Sequence, residues 1–333
     1  MQYRSLGTTG IQVSALAFGA GPVSGLMVGA DVERSRSVVE HALKRGVNWF
    51  DTAATYGQGQ SELNLGRALA DLQASERVHV ATKVRLSAED LSDIPGAVRR
   101  SLAGSLDRLK LSRVTLLQLH NSITRNRGDE PTSVTPNDVL GPGGIAEEFE
   151  RLRQEGLIGH TGLTGIGQPA ALAEVVRSGR FATMQVPYHL LNPSAGYVMS
   201  ADFAETNYGN IIADCARAGM GVFAVRVLAG GALVGRQPSA HTLKTLFFPL
   251  SLFERDRDRA TQLQAALGAG SCMSQAAVRF VLSHPSIHSA IIGFGETAEL
   301  DDAIDALDSA PLIRDWEKLW SQAGIVGEYG GLR

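Results

Sequence analysis

The sequence predicts an α/β fold, a single (β/α)8 TIM barrel with an N-terminal β-hairpin and extra helices, from three observations. The chain has 333 residues, which suits one barrel of about 250 residues with insertions. Short apolar runs alternate with segments of helical periodicity, as repeated βα units require. Eight such runs follow one another without a break in composition, so residues 1–333 are predicted to form one domain.

Two short strands, at residues 3–6 and 11–13, are predicted at the start of the chain around the glycine turn at residues 7–10. Such a hairpin can cap one end of a barrel. The eight runs that follow are mostly continuous in apolar residues, which suits parallel strands buried on both faces. These strands are predicted at residues 15–18, 47–50, 78–82, 114–119, 160–163, 183–186, 222–225 and 290–292.

Segments with helical periodicity separate the strands. Residues 32–44, for example, place Val38, Val39 and Ala42 on one face with charged residues opposite. The other helices are predicted at residues 61–72, 98–109, 145–154, 170–176, 211–218 and 275–282, with additional helices at residues 255–267 and 310–322.

Residues 121–144 form a long segment without periodicity that is polar and rich in proline and glycine. The segment directly follows a predicted strand, and loops after barrel strands lie on the catalytic face. Loops of this length are usually functional or disordered. We therefore predict a substrate-side loop, with a surface insertion of no function as the alternative. Residues 22–30 and 324–333 are also expected to line the substrate pocket.

Composition argues against several partners. The formal net charge is −3 and basic residues are scattered, so no nucleic-acid partner is expected. Two cysteines, Cys215 and Cys272, are too few for a disulfide framework or a metal cluster, and no metal site is predicted. The sequence has no secretory signal and no long apolar run, which predicts a cytoplasmic chain without membrane partners. A monomer and a homo-oligomer are equally compatible with this composition.

Ionisable side chains stand at the ends of three predicted strands. Asp51 follows the second strand, Lys83 the third and His120 the fourth, and Tyr56 lies in the loop after Asp51. Such groups are costly to bury unpaired, and the carboxyl ends of neighbouring barrel strands meet at one face. The four side chains are therefore predicted to converge on one catalytic pocket. A structural Asp51–Lys83 ion pair is the alternative interpretation.

These residue types favour proton transfer. A free tyrosine, with a pKa of about 10, exchanges its proton poorly near neutrality. A lysine cation beside a tyrosine stabilises the phenolate, and an aspartate keeps that lysine charged. A histidine can hydrogen-bond a substrate oxygen. The set can thus protonate a carbonyl oxygen while hydride reaches the carbon, or support the reverse oxidation. No Ser–His or Cys–His pair indicates covalent catalysis.

Three segments resemble motifs of the aldo-keto reductase family in the same order: FDTAATYGQGQSELNLGRAL, ATKV and LLQLHN. The similarity extends from the hairpin to about residue 307. It implies that Tyr56 is the general acid/base, that Lys83 tunes it, that Asp51 pairs with Lys83 and that His120 orients the substrate oxygen. It also implies NAD(H) or NADP(H) as cofactor and a small-molecule carbonyl or alcohol substrate, without a metal.

The same resemblance implies cofactor contacts, some of which depart from the family pattern. Thr164 stands where members usually have a Ser-Asn pair, and Gln185 matches a contact to the nicotinamide carboxamide. Val225 replaces the tyrosine that stacks on the nicotinamide, and Arg226 is expected to reach a cofactor phosphate. A glycine turn at Gly230 would admit the pyrophosphate, or be only a turn. The expected cofactor contacts are Gly19, Ala20, Gly21, Thr164, Gln185, Val225, Arg226, Leu228, Gly230, Gly293, Gly295 and Glu299.

Residues 291–299 look like the family's adenosine-phosphate loop, placed before a helix whose N-terminus favours anions. Members that prefer NADP commonly have basic residues here, whereas this chain has Glu296 and Glu299. These carboxylates would repel a 2′-phosphate and accept ribose hydroxyl groups, so NAD(H) is expected over NADP(H). The alternative is that Arg226 or another basic residue supplies the charge.

Three functions are compatible with these residues. The favoured one is an NAD-dependent dehydrogenase of a sugar or alcohol. The second is an NADPH-dependent carbonyl reductase of broad specificity. The third is a nucleotide-sensing regulatory subunit without turnover, and the complete set of four ionisable residues argues against it.

Overall fold

Eight parallel strands close a barrel in the computed structural model, which describes residues 1–201, 203, 205–268, 270–308 and 316–324. The predicted (β/α)8 barrel and its N-terminal hairpin are confirmed. The strands are β1 (Tyr3–Ser5), β2 (Gln12–Ser14), β3 (Leu16–Gly19), β4 (Trp49–Asp51), β5 (His79–Val84), β6 (Val114–Leu119), β7 (Ile158–Thr164), β8 (Thr183–Pro187), β9 (Gly221–Val225) and β10 (Ser289–Ile292). Around the barrel the order is β10-β3-β4-β5-β6-β7-β8-β9, so strands that follow one another in the chain are also neighbours in space.

The described helices cover the barrel, and an apolar core fills the space between helices and strands. They are α1 (Val32–Lys44), α2 (Gln60–Asp71), α3 (Ile94–Leu109), α4 (Pro136–Leu140), α5 (Ile145–Gln154), α6 (Pro169–Arg177), α7 (Ile211–Arg217), α8 (Leu250–Leu267), α9 (Met273–Ser283), α10 (Thr297–Asp308) and α11 (Trp316–Gln322). Of the helix predicted at residues 310–322, the part before 316 lies outside the described residues. None of the helices in the described ranges is long and apolar enough to cross a membrane.

The hairpin of β1 and β2 closes the amino end of the barrel. Its strands pair antiparallel, and Leu6 and Val13 are fully buried in an interior cluster with Trp49 and Phe223. The turn between them needs glycine at Gly7, where φ is +49° and a Cβ atom would collide with backbone of residues 219–221. With this end filled, the opposite face is the one open to ligands.

The segment at residues 121–144 is more ordered than its sequence suggests. Ile123 forms parallel β-bridges to Val134 and to Gly167, which fold the segment back onto the barrel. Helix α4 begins at a capping box in which the Thr135 hydroxyl accepts a hydrogen bond from the Asp138 backbone N–H, at 3.2 Å. The segment predicted as a loop thus contains the five helical residues of α4.

Candidate active site

The four predicted catalytic side chains meet at the carboxyl end of three adjacent strands. Asp51 is the last residue of β4, Lys83 lies one residue before the end of β5, and His120 directly follows β6. Tyr56 begins a 3-10 turn just after β4. The Lys83 Nζ lies 3.2 Å from the Tyr56 hydroxyl oxygen, and the Tyr56 and His120 rings meet edge to face at 5.6 Å.

Lys83 is the centre of this arrangement and is 1% exposed. Its Nζ donates to the Asp51 carboxylate, to the Thr52 carbonyl oxygen at 2.8 Å and to the Tyr56 hydroxyl. Burial alone would lower the pKa of Lys83, but the charges of Asp51 and Tyr56 outweigh it and raise that pKa. The ammonium group therefore stays protonated near neutral pH, directed at the tyrosine oxygen.

Asp51 is held by two amides as well as by the lysine. Its Oδ2 accepts hydrogen bonds from Gln118 Nε2 at 3.1 Å and from Gln185 Nε2 at 2.5 Å. These partners keep a buried carboxylate satisfied, as burial requires. Sequence reasoning missed Gln118; its signal was an amide side chain among the leucines that end β6, two positions before His120.

His120 is buried, and its pKa lies well below the ordinary value. Burial is the main cause, followed by the positive charges of Arg85, Lys83 and His241. The imidazole is therefore neutral near pH 7, with one nitrogen that donates and one that accepts. Its Nδ1 lies 3.4 Å from the Thr55 hydroxyl oxygen, which leaves Nε2 for a ligand.

A cavity of about 940 Å³ opens onto Tyr56 and His120. Five of the predicted cofactor contacts line it: Gly21, Thr164, Gln185, Val225 and Arg226. A second cavity of about 300 Å³ lies at the start of α10 and is lined by three more: Leu228, Gly293 and Glu299. The other predicted contacts, Gly19, Ala20, Gly230 and Gly295, line neither cavity.

Several of these residues are already engaged with protein groups. The Thr164 hydroxyl donates to the Leu119 carbonyl oxygen at 2.9 Å, so its oxygen is left to accept. The guanidinium carbon of Arg226 stands 3.9 Å from the centre of the Phe248 ring, and its Nη2 lies 3.9 Å from Asp256. The expected contact between Arg226 and a cofactor phosphate stays a prediction.

The loop before α10 is approached by two arginines that sequence reasoning missed. Glu299 forms an ion pair with Arg236 and accepts the Gly295 backbone N–H at 2.8 Å. Arg34 Nη2 donates to the Gly295 carbonyl oxygen at 3.0 Å. No local pattern marked either arginine, because each reaches the loop from a distant part of the chain.

The walls of the larger cavity differ from the predicted substrate-side segments. Residues 22–25 and Val28 line it as expected, whereas no residue of 121–144 does. From that segment, Glu130 and Pro131 line a separate cavity of about 180 Å³, which also borders on Arg226. Residues of the segment 236–248, which the sequence did not single out, form a further part of the wall. The predicted lining by 324–333 falls on residues that, after Gly324, lie outside the described ranges.

The model of the Aldo/keto reductase family matches residues 15–320. The chain belongs to this family. It is 28% identical to "Uncharacterized oxidoreductase YrpG" of Bacillus subtilis (strain 168), covering 92% of this chain and 91% of that protein. It is 25% identical to "L-galactose dehydrogenase" of Arabidopsis thaliana, covering 92% and 88%.

Among solved structures, the barrel resembles aldo-keto reductase AKR11C1 from Bacillus halodurans in its holo form, with a TM-score of 0.70. That match covers 98% of this chain and 97% of the other, and its 21% identity bears on the fold alone. With the family and the oxidoreductase relatives, the predicted enzyme class is confirmed: the chain is an NAD(P)-dependent oxidoreductase acting on carbonyl or CH-OH groups.

The residues of this aldo-keto reductase fit a nicotinamide nucleotide. Gln185 lines the same cavity as Tyr56 and His120, and a Cβ atom on Gly21 would stand 3.6 Å from the Tyr56 ring, in the space beside it. The buried Ser24 hydroxyl, next to Gly293, has no hydrogen-bond partner among the described residues. An unsatisfied polar group on the path between the two cavities suits a ligand that bridges them.

Proposed function

We propose that this aldo-keto reductase interconverts an alcohol and a carbonyl compound by hydride transfer, with Tyr56 as general acid/base. The observation that carries the proposal is the 3.2 Å contact between the Tyr56 hydroxyl and a buried lysine that Asp51 keeps charged. A phenolate formed at Tyr56 faces that cation directly, so the tyrosine can give up its proton and recover it.

The bound nicotinamide supplies or accepts the hydride. In reduction, the neutral His120 donates a hydrogen bond that orients the carbonyl oxygen, and Tyr56 transfers its hydroxyl proton to that oxygen. Lys83 stabilises the phenolate that remains. In oxidation, the phenolate of Tyr56 removes the hydroxyl proton, and His120 holds the same oxygen.

Cofactor binding is assigned to the residues between the two cavities. Gln185 and Thr164 would hold the nicotinamide carboxamide, with Val225 packed against the ring. The turn at Gly230, where φ is +71°, would admit the pyrophosphate, and Gly293, Gly295 and Glu299 would hold the adenosine part.

NAD(H) is the proposed cofactor because the smaller cavity is acidic. Its described lining includes Glu296, Glu299 and Asp302 against a single guanidinium, that of Arg236, which is already paired with Glu299. A 2′-phosphate would add a dianion to this set, whereas ribose hydroxyl groups can donate to the carboxylates. The observation that favours NADP(H) instead is the approach of Arg34 and Arg236 to the loop.

Oxidation of a sugar or another alcohol is the proposed direction, since cellular NAD is mostly oxidised. The name of the Arabidopsis relative, a dehydrogenase of L-galactose, supports a sugar or a similar polyol as substrate. Reduction of carbonyl compounds by NADPH is the second candidate function.

Calorimetric titration with NADH and NADPH, followed by turnover assays over alcohols, sugars and aldehydes, tests the proposal. We expect tighter binding of NADH, and a loss of turnover of about 10²- to 10⁴-fold in Tyr56→Phe. Cofactor binding without turnover of any substrate would favour a regulatory subunit. Tighter NADPH binding would favour the reductase, and undiminished turnover in Tyr56→Phe would refute the role of the tyrosine.

A further inference from the structure

A guanidinium group that has no carboxylate partner among the described residues lies beside Tyr56 and His120. Arg85 directly follows β5, two positions after Lys83, and lines the larger cavity together with Tyr56 and His120. Its Nη2 donates to the His120 carbonyl oxygen at 3.2 Å, while its buried Nε finds no hydrogen-bond partner in the part of the chain that the structure describes. Within the described ranges, no Asp or Glu oxygen lies within ion-pair distance of it.

The other two arginines of this cavity differ from Arg85. Arg226 faces Asp256, with 3.9 Å between nitrogen and oxygen, and Arg236 is paired with Glu299. A partly buried charge costs free energy unless a counter-charge offsets the lost hydration. Consistent with this cost, burial lowers the pKa of Arg85. Arg85 therefore lacks the partner that its neighbours have.

The cofactor phosphates are poorly placed to be that partner. Arg85 follows β5, whereas the Gly230 turn follows β9 and the Gly293 loop follows β10. In the closed barrel β5 is separated from β9 by β6, β7 and β8, and from β10 by β3 and β4. Arg85 thus stands across the barrel from the strands that precede the two glycine loops, on the side of Tyr56 and His120.

The surroundings of Arg85 favour an anion. The described lining of the larger cavity contains three arginines and two histidines and, among those residues, neither Asp nor Glu. Burial lowers the pKa of His241, and the charges of Arg85 and Arg226 lower it further, so the three groups face one space. The Phe247 ring lies 4.8 Å from the Arg85 guanidinium carbon and shields it from water, which strengthens its attraction to an anion.

We propose that the substrate carries a carboxylate or phosphate group, which Arg85 binds while the reacting carbon faces Tyr56. This inference rests on the proposed function of the catalytic residues. It assigns the substrate to the hydroxy acids, oxo acids or phosphorylated sugars, and it makes Arg85 a specificity-determining residue. Planar guanidinium groups bind such oxyanions with two hydrogen bonds, more strongly than they bind neutral acceptors.

Matched pairs of compounds test the proposal with the whole enzyme and its preferred cofactor. The carboxylate pairs are 4-carboxybenzaldehyde against its methyl ester and glucuronate against glucose; the phosphate pairs are glyceraldehyde 3-phosphate against glyceraldehyde and glucose 6-phosphate against glucose. We expect kcat/KM to favour the anionic member by about 10- to 100-fold, mostly through KM. The pair with the larger ratio identifies carboxylate or phosphate as the natural group.

Variants locate the effect. Arg85→Met should bring the ratio of anionic to neutral kcat/KM close to one, and Arg85→Lys should restore part of it. Arg100→Met, which removes an exposed arginine of α3 paired with Asp93, should leave the ratio unchanged. Thermal unfolding and NADH affinity show whether Arg85→Met is folded. The ratio of anionic to neutral kcat/KM in the unsubstituted enzyme tests the proposal even without that variant.

Two outcomes would overturn the inference and leave the proposed function standing. The first is turnover with equal kcat/KM for both members of every pair. The second is a preference for anions that persists in Arg85→Met. Failure of all compounds to react in an enzyme that binds the cofactor would count against the proposed function itself.

Discussion

Replacing Lys83 by Met is expected to cost both stability and turnover, and a second substitution should recover only the stability. Lys83 and Asp51 are 1% and 3% exposed, so the single substitution leaves a buried carboxylate with only the amides of Gln118 and Gln185. Breaking a buried ion pair in this way costs about 3 to 5 kcal/mol. With an unfolding entropy of about 2.1 cal/mol/K per residue over 333 residues, Tm falls by about 4 to 7 °C.

Adding Asp51→Asn removes the orphaned charge while keeping a carbonyl oxygen for the two amide donors. The Lys83→Met, Asp51→Asn double variant should therefore recover most of the lost Tm. Its turnover should stay at least about 10²-fold below that of the unsubstituted enzyme, because Tyr56 lacks a cation. Circular dichroism melting and steady-state kinetics measure the two quantities. A double variant that is less stable than Lys83→Met, or one that regains turnover, would refute the reasoning.

Three further predictions concern the cofactor, pH and the hairpin. Glu299→Gln should shift the ratio of NADPH to NADH affinity towards NADPH by about tenfold in calorimetric titration, because Arg236 loses its partner. Asp301→Asn, which removes a carboxylate of α10 that pairs with His41 and Arg45 instead, should not shift it. His189 is buried with a pKa well below the ordinary value through burial and then the charges of Arg226 and Arg259, so only the unfolded chain takes up its proton below pH 6.5. The free energy of unfolding should therefore decrease as the pH drops below 6.5. His189→Gln should reduce the slope of that free energy against pH by about 1.4 kcal/mol per pH unit in urea unfolding. An unchanged slope would contradict the role assigned to His189. Gly7→Ala should lower the free energy of unfolding by about 1 to 3 kcal/mol. The loss should exceed that of Gly10→Ala, where no atom lies within 4 Å of an added Cβ atom. Equal losses in the two variants would count against the clash at Gly7.

The proximity of the four proposed catalytic side chains could be predicted from the sequence because of the way a barrel is connected. Asp51, Lys83 and His120 end strands that follow one another in the chain, and consecutive strands are neighbours around the barrel. Order in the sequence therefore gives proximity in space for these residues. Tyr56 lies close to them because a short loop joins it to β4, so the prediction did not depend on a contact between distant segments.

The residues that the sequence did not reveal depend on contacts between distant loops. Arg236 reaches Glu299, and Arg85 packs against Phe247, across separations in the chain that carry no periodic signal. The same limit affected residues 121–144, which pack through β-bridges of Ile123 to Val134 and Gly167 and through the capping box of α4, and which do not line the larger cavity. Polarity and loop length alone did not distinguish that packed segment from residues 236–248, which line the cavity.

Binding of an anion at Arg85 is compatible with the role proposed for His120. The positive charge of Arg85 helps to lower the pKa of His120, and a bound carboxylate or phosphate would offset that part of the effect. Burial is the larger cause of the lowered pKa of His120, however, and a substrate that covers the imidazole buries it further. His120 therefore stays a neutral hydrogen-bond donor with anionic and neutral substrates alike. Because of this, the proposed selection of the substrate by Arg85 through KM does not change the protonation state on which the proton transfer proposed for Tyr56 depends.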